Sequence, residues 1–145
     1  MKIDGVASRT IWLEPDGWSV GILDQTMLPH TVVRKTLRTP EDAALAIKTM
    51  QVRGAPLIGV TAAYGVALAM RADPSDASLK HALAFLAEQR PTAVNLRWAL
   101  NDLQATLVSL PPKSRAAAAY ARAAEIADDD VETCRRFAEV AARLA

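Results

Sequence analysis

The spacing of apolar and polar positions along this chain changes near residue 39, and that change predicts its elements. Before it, apolar residues come in short β-prone runs. Thr10-Ile11-Trp12-Leu13 and Trp18-Ser19-Val20-Gly21-Ile22-Leu23 flank the turn sequence Glu14-Pro15-Asp16-Gly17, which predicts an antiparallel hairpin. After Leu28-Pro29, the run from Thr31 to Leu37 predicts a third strand. Three short strands are about the minimum that persists in water, provided that one face is covered.

From Thr39 the period is helical. Thr39 suits an N-cap, Pro40 the first helical position, and Glu41 and Asp42 put negative charge in the first turn. Ala44, Ile47, Met50 and Gln51 share one face of this helix. Gly54 ends it and Pro56 starts the next, whose residues from Arg53 to Arg71 include no charge between those two arginines. A helix apolar all round belongs in the middle of a structure. Gly59 and Gly65 weaken its propensity, so close approach of neighbouring backbones is the expected reason for them. Asp73-Pro74-Ser75-Asp76 breaks this central helix. Leu79, Leu83 and Leu86 mark another helix, stopped at Arg90-Pro91. Thr92 reads as the N-cap of a helix carrying Leu96, Leu100, Leu103 and Leu107, and Leu110-Pro111-Pro112 ends it. Two further helices are expected, an alanine-rich one from about Ser114 to Ala127 and a last one from about Asp130 to Leu144. Val131, Cys134, Phe137, Val140 and Leu144 form the apolar stripe of that last helix.

The expected fold class is α+β: a small antiparallel sheet of about three strands, then a bundle of about six helices. Residues 1–39 form the β part and 40–145 the helical part of one domain, and 145 residues suffice for a core without metal or disulfide help. A net charge of +1, with neither half strongly charged, argues against nucleic acid and membrane surfaces as partners. The single cysteine, Cys134, excludes an intrachain disulfide and fits a reducing compartment. The N-terminus lacks the apolar run of a signal peptide, and the uncharged central helix is short and rich in Ala and Gly for a membrane span. These features together predict a cytoplasmic protein.

Candidate chemistry concentrates at Arg53-Gly54-Ala55-Pro56. The unbonded N–H groups of the helix start, the positive end of its dipole and Arg53 together favour an anion such as phosphate. A plainer reading also stands, in which Arg53 faces the C-terminus of the preceding helix and Arg90 the end of its own. Asn95 reads equally as a pocket residue and as a cap. Cys134 reads as a small core residue, His30 and His81 as surface residues without metal-ligand spacing, and Asp128–Asp130 as a solvated helix start. Trp12 and Trp18 read as sheet packing.

Two segments carry a family resemblance. Val52-Arg53-Gly54-Ala55-Pro56-Leu57-Ile58-Gly59, followed by the alanine-rich helix, resembles a signature of the methylthioribose-1-phosphate isomerases and their relatives. Arg90-Pro91-Thr92-Ala93-Val94-Asn95-Leu96 resembles their second signature, and Ile22-Leu23-Asp24-Gln25 with Leu28-Pro29 agrees upstream. Those relatives include ribose-1,5-bisphosphate isomerases and the alpha, beta and delta regulatory subunits of translation initiation factor two B.

The resemblance implies that this span is the N-terminal domain of a two-domain isomerase, with a Rossmann-like domain to follow. It implies conversion of 5-methylthioribose 1-phosphate to 5-methylthioribulose 1-phosphate in methionine salvage, and a homodimer formed through the second domain. Arg53, Gly54, Ala55 and Arg90 carry over as substrate-binding positions. The catalytic cysteine and aspartate of the family belong to the second domain, so no catalytic residue is expected here, nor any cofactor or metal. The alternative is a non-catalytic module that senses sugar phosphates or serves assembly, like the initiation-factor subunits.

Overall fold

The computed structural model describes residues 2–3, 6–7 and 9–144, except the side chains of 2–3, 6–7, 133 and 134. Cys134, expected in the core, therefore has a side chain outside the described residues. A two-stranded antiparallel ladder, β1 (Lys2–Ile3) with β2 (Val6–Ala7), precedes the main sheet, and the hydrophobic pattern does not predict it.

The main sheet has three antiparallel strands in the order β3 (Ile11–Leu13), β4 (Val20–Leu23) and β5 (Arg34–Leu37). The hairpin turn works through Asp16. Its carboxylate accepts from the amides of Trp18 and Ser19, both at 2.9 Å, and from the Ser19 hydroxyl at 2.6 Å. These bonds and the positive φ of Gly17 absorb Trp18 and Ser19 into the turn, so β4 starts later than the β-prone run does. Trp12 pairs with Gly21, where an added Cβ would fall 2.2 Å from the indole, so this glycine clears room for the ring. All four β4 residues are buried.

Five helices follow: α1 (Pro40–Lys48), α2 (Ala55–Ala72), α3 (Asp76–Ala87), α4 (Val94–Leu107) and α5 (Pro112–Leu144). Thr39 caps α1 as expected, its hydroxyl accepting from the Asp42 amide, while Asp42 accepts from the Arg38 amide. Helix α2 is the axis: every residue from Leu57 to Met70 is buried and it packs on the other four helices. It alone among the described residues is long and apolar enough to cross a membrane. Its surface is already covered inside the fold, as in a core helix. Gly65 receives the Ala43 and Leu86 side chains, which would lie 3.1 Å from an added Cβ.

The C-terminal region differs from the expectation of two helices. Residues 112–144 form one continuous helix, because no glycine or proline interrupts the chain after Pro112 and the three aspartates at 128–130 do not break it. Its first half is anchored. Arg115, 3% exposed, donates to the carbonyls of Leu107 and Pro74 and pairs with Asp76 at 2.6 Å. The Tyr120 hydroxyl donates to the Trp18 carbonyl, and Arg122 grips Asp102 of α4 through two bonds of 2.7 and 2.8 Å. In its second half Val131 and Val140 are exposed, as are Phe137 at 77% and Leu144 at 83%, so these four residues of the stripe are no part of the core.

Candidate functional site

Two loops meet at one end of α2. The first begins where α1 stops. Met50 takes a left-handed conformation, φ +61°, while its amide donates to the Ile47 carbonyl and the Gln51 amide donates to the Ala46 carbonyl. That bonding is the Schellman arrangement, usually closed by glycine. Arg53 and Gly54 follow. Gly54 has φ +98°, and an added Cβ there would meet nothing within 4 Å. Among protein neighbours, its requirement for glycine is therefore one of backbone conformation. The second loop is the turn Arg90-Pro91-Thr92-Ala93, closed by the Ala93 amide on the Arg90 carbonyl at 3.0 Å, with proline in its favoured position.

Gly59 brings the loops together. One turn into α2, its missing side chain lets the Asn95 carbonyl approach to 3.0 Å of where a Cβ would stand. The starts of α2 and α4 consequently lie side by side. Neither has a side-chain cap, whereas Thr39 caps α1 and Ser75 caps α3. Thr92, expected to cap α4, lies one residue too early; Ala93 occupies that position and has no side chain to offer.

Both helix starts open on a cavity of about 330 Å³ lined by Met50, Arg53, Gly54, Ala55, Ile58, Arg90, Thr92, Ala93 and Asn95. All four residues expected to bind substrate, Arg53, Gly54, Ala55 and Arg90, line it. Asn95, which reads equally as a pocket residue and as a cap, lines the cavity. Met50, Ile58, Thr92 and Ala93 are lining residues that the sequence does not single out; helical spacing puts Met50 on a helix face, and nothing local signals the left-handed turn. The Arg90 side chain has no hydrogen-bond or ion-pair partner among the described residues, and Arg53 uses one Nη2 hydrogen on the Gln25 carbonyl at 2.9 Å. Among the described residues, no carboxylate, imidazole or thiol lines the cavity.

Two guanidinium groups and two uncapped helix dipoles, each worth about half a positive charge at its start, make this a strongly positive concavity. It is suited to hold an anion with several charge-assisted hydrogen bonds. Among the described residues, its lining has no group suited to exchange protons with a substrate at neutral pH. A larger groove, about 580 Å³, runs between α3 and α4, but its lining is mostly aliphatic and its charges (Asp76, Lys80, Arg97) are mixed in sign. Elsewhere, His81 stacks on Phe85, and no group of three potential metal ligands occurs among the described residues.

Comparison with known proteins agrees with this fold. The sequence model of the Initiation factor 2 subunit family matches residues 51–145. Methylthioribose-1-phosphate isomerase of Acidiphilium cryptum is 59% identical over 96% of the chain, and that of Methylobacterium nodulans 58% identical over 99%. Among solved structures, 5-methylthioribose 1-phosphate isomerase from Pyrococcus horikoshii and translation initiation factor eIF-2B, subunit delta, from A. fulgidus each superpose with a TM-score of 0.78, at 34% identity over 87% of the chain. The chain spans only 38% and 40% of those two curated relatives, and 37% and 38% of the two solved chains. On its sequence match and its fold, the chain belongs to the Initiation factor 2 subunit family.

Proposed function

We propose that this chain is the substrate-gripping N-terminal domain of a cytoplasmic aldose–ketose isomerase, acting on 5-methylthioribose 1-phosphate in methionine salvage. The observation that carries the reading is the convergence of Arg53, Arg90 and two uncapped helix starts on one cavity. Relatives at 58–59% identity named for that isomerase support the choice of substrate.

In this reading the phosphoryl group sits against the amides that start α2 and α4, with the two guanidiniums closing on its oxygens. Phosphorylation at C1 blocks opening through a free anomeric hydroxyl, so protein groups must assist ring opening. They must also assist the transfer of hydrogen from C2 to C1 as the C2 hydroxyl becomes a carbonyl. Among the described residues, the cavity lining offers no such groups. Further polypeptide, of the extent that the relatives possess, supplies the acid–base pair as a cysteine and an aspartate. The exposed apolar stripe of α5 offers that second domain a seat, and the homodimer forms through it.

The competing reading is a non-catalytic sugar-phosphate sensor like the initiation-factor subunits, and the isomerase names among relatives of high identity favour the enzyme. The test is turnover in a polypeptide of the relatives' length. The enzyme reading expects isomerisation of the C1 phosphate sugar, with KM raised roughly 10- to 100-fold in Arg53→Ala and Arg90→Ala through loss of charged hydrogen bonds. Binding without turnover would favour the sensor, and unchanged KM in both variants would remove the site.

A further inference from the structure

The segment Ile22-Leu23-Asp24-Gln25, part of the family resemblance, has no role in the cavity lining, yet it makes direct contact with Arg53. Asp24 follows β4, and its side chain is 5% exposed. Its Oδ1 accepts from the Thr26 amide at 3.0 Å and from the Thr26 hydroxyl at 2.5 Å, while Oδ2 lies 3.1 Å from Lys35 Nζ. The Asp24 amide donates to the Val33 carbonyl at 2.8 Å. Burial pushes the Asp24 pKa up, but the bonds from Thr26 and Lys35 outweigh it and hold the carboxyl below its ordinary range. A buried carboxylate partnered in this way fixes the peptide that follows it.

The two peptide units that meet at Gln25 hold the Arg53 loop at two points. The Gln25 amide donates to the Gln51 carbonyl at 2.8 Å, and the Gln25 carbonyl accepts from Arg53 Nη2 at 2.9 Å. Between the two lies Val52, fully buried. The direction of the Arg53 side chain is thus set by the end of a strand 28 residues away, as well as by its own loop. A guanidinium has five donor hydrogens, and this anchor uses one, leaving the rest for a ligand. An exposed arginine loses rotamer freedom when it closes on an anion, and a side chain already held has less to lose.

We propose that the turn from Asp24 to Thr26 is a positioning device for Arg53, in which the buried carboxylate sets the peptide units on either side of Gln25 and their amide and carbonyl aim the guanidinium at the cavity. The proposal rests on the reading of the cavity as an anion site, and adds to it the residues that pre-organise one of its two arginines.

A double-mutant cycle on the 145-residue chain, read by calorimetric titration with inorganic phosphate, tests it. Gln25→Pro deletes one amide donor and keeps the carbonyl. Asp24, at φ −74° and ψ 101°, already has the extended conformation that a following proline requires. Gln25→Pro is expected to weaken phosphate binding about threefold to tenfold, and to change nothing further in an Arg53→Ala background. Should Gln25→Pro melt below the assay temperature, Asp24→Asn takes its place in the same cycle with the same expectation. Unchanged affinity in the Gln25 or Asp24 variant, with Arg53→Ala still weakened, would overturn the positioning role and leave the anion site standing. Equal weakening in both backgrounds would overturn it too, as a general structural effect. Unchanged affinity in Arg53→Ala alone, or no binding by the parent chain, would overturn the anion-site reading itself, and the positioning role with it.

Discussion

Gly59 and Asn95 stand so close that a Cβ on the glycine would lie 3.0 Å from the asparagine's carbonyl oxygen. The neighbour is backbone, so it cannot swing aside, and the contact sets the separation of two helix starts. Gly59→Val therefore forces α4 away from α2, and its strain outweighs the gain in helix propensity. A loss of about 1–3 kcal/mol is expected from urea unfolding. Stability equal to the parent's would mean that the helices are free to separate.

Met50 closes α1 in a backbone region that favours glycine. Met50→Gly removes that strain and is expected to raise stability by up to about 1 kcal/mol, visible as a higher urea midpoint at constant m. A lower midpoint would show that the methionine side chain contributes more in the cavity wall than its backbone costs.

Asp102 and Arg122 join α4 to α5 through two parallel hydrogen bonds. Arg122 holds the Asp102 carboxyl below its ordinary value, against the opposing effect of burial. A carboxyl depressed by folding stabilises the folded state fully above its unfolded value of about 3.9, and loses that contribution as pH falls through the lower folded value. Asp102→Asn should thus cost about 1–2 kcal/mol at neutral pH, with the gap to the parent closing below about pH 4. A gap independent of pH between 2 and 7 would contradict the ion-pair account.

The stripe on the second half of α5 makes a different prediction. In this chain Phe137→Asp should change stability by no more than about 0.5 kcal/mol, because the ring is exposed already. Leu103→Ala in the buried stripe of α4 should cost about 2–5 kcal/mol. A large loss in Phe137→Asp would mean that the stripe is buried in solution.

Periodicity located α2, α3 and the starts of α1 and α4 to within a residue or two, because their leucine and alanine spacing coincides with buried faces and Thr39, Pro56 and Pro74 punctuate them; α1 stops at Lys48, where Met50 turns left-handed, several residues before the Gly54 expected to end it. Periodicity failed where the deciding contact is remote. Alternation of polar and apolar residues identifies the face of α5 that could pack, but not whether anything packs there. Arg115 sits beside an alanine run that suggests surface, and only the carbonyls of Leu107 and Pro74 explain its burial. The two halves of the cavity lie 37 residues apart in sequence, from Arg53 to Arg90. Gly59 signals that some backbone approaches α2 without naming α4, so the family resemblance alone joined them. Thr92 misled because a threonine before a helical stripe reads as a cap, while the turn made by Pro91 shifts the helix start past it.

The central claim is that two adjacent helix starts, with Arg53 and Arg90, hold one anion. It is tested most directly by following the backbone amides of the chain in nitrogen–proton NMR spectra during titration with inorganic phosphate. The account predicts that Gly54 and Ala55 on one side, and Val94 and Asn95 on the other, shift together along one saturating curve, and that the curve weakens in Arg53→Ala and Arg90→Ala. Shifts confined to a single helix start, or none at either, would contradict it.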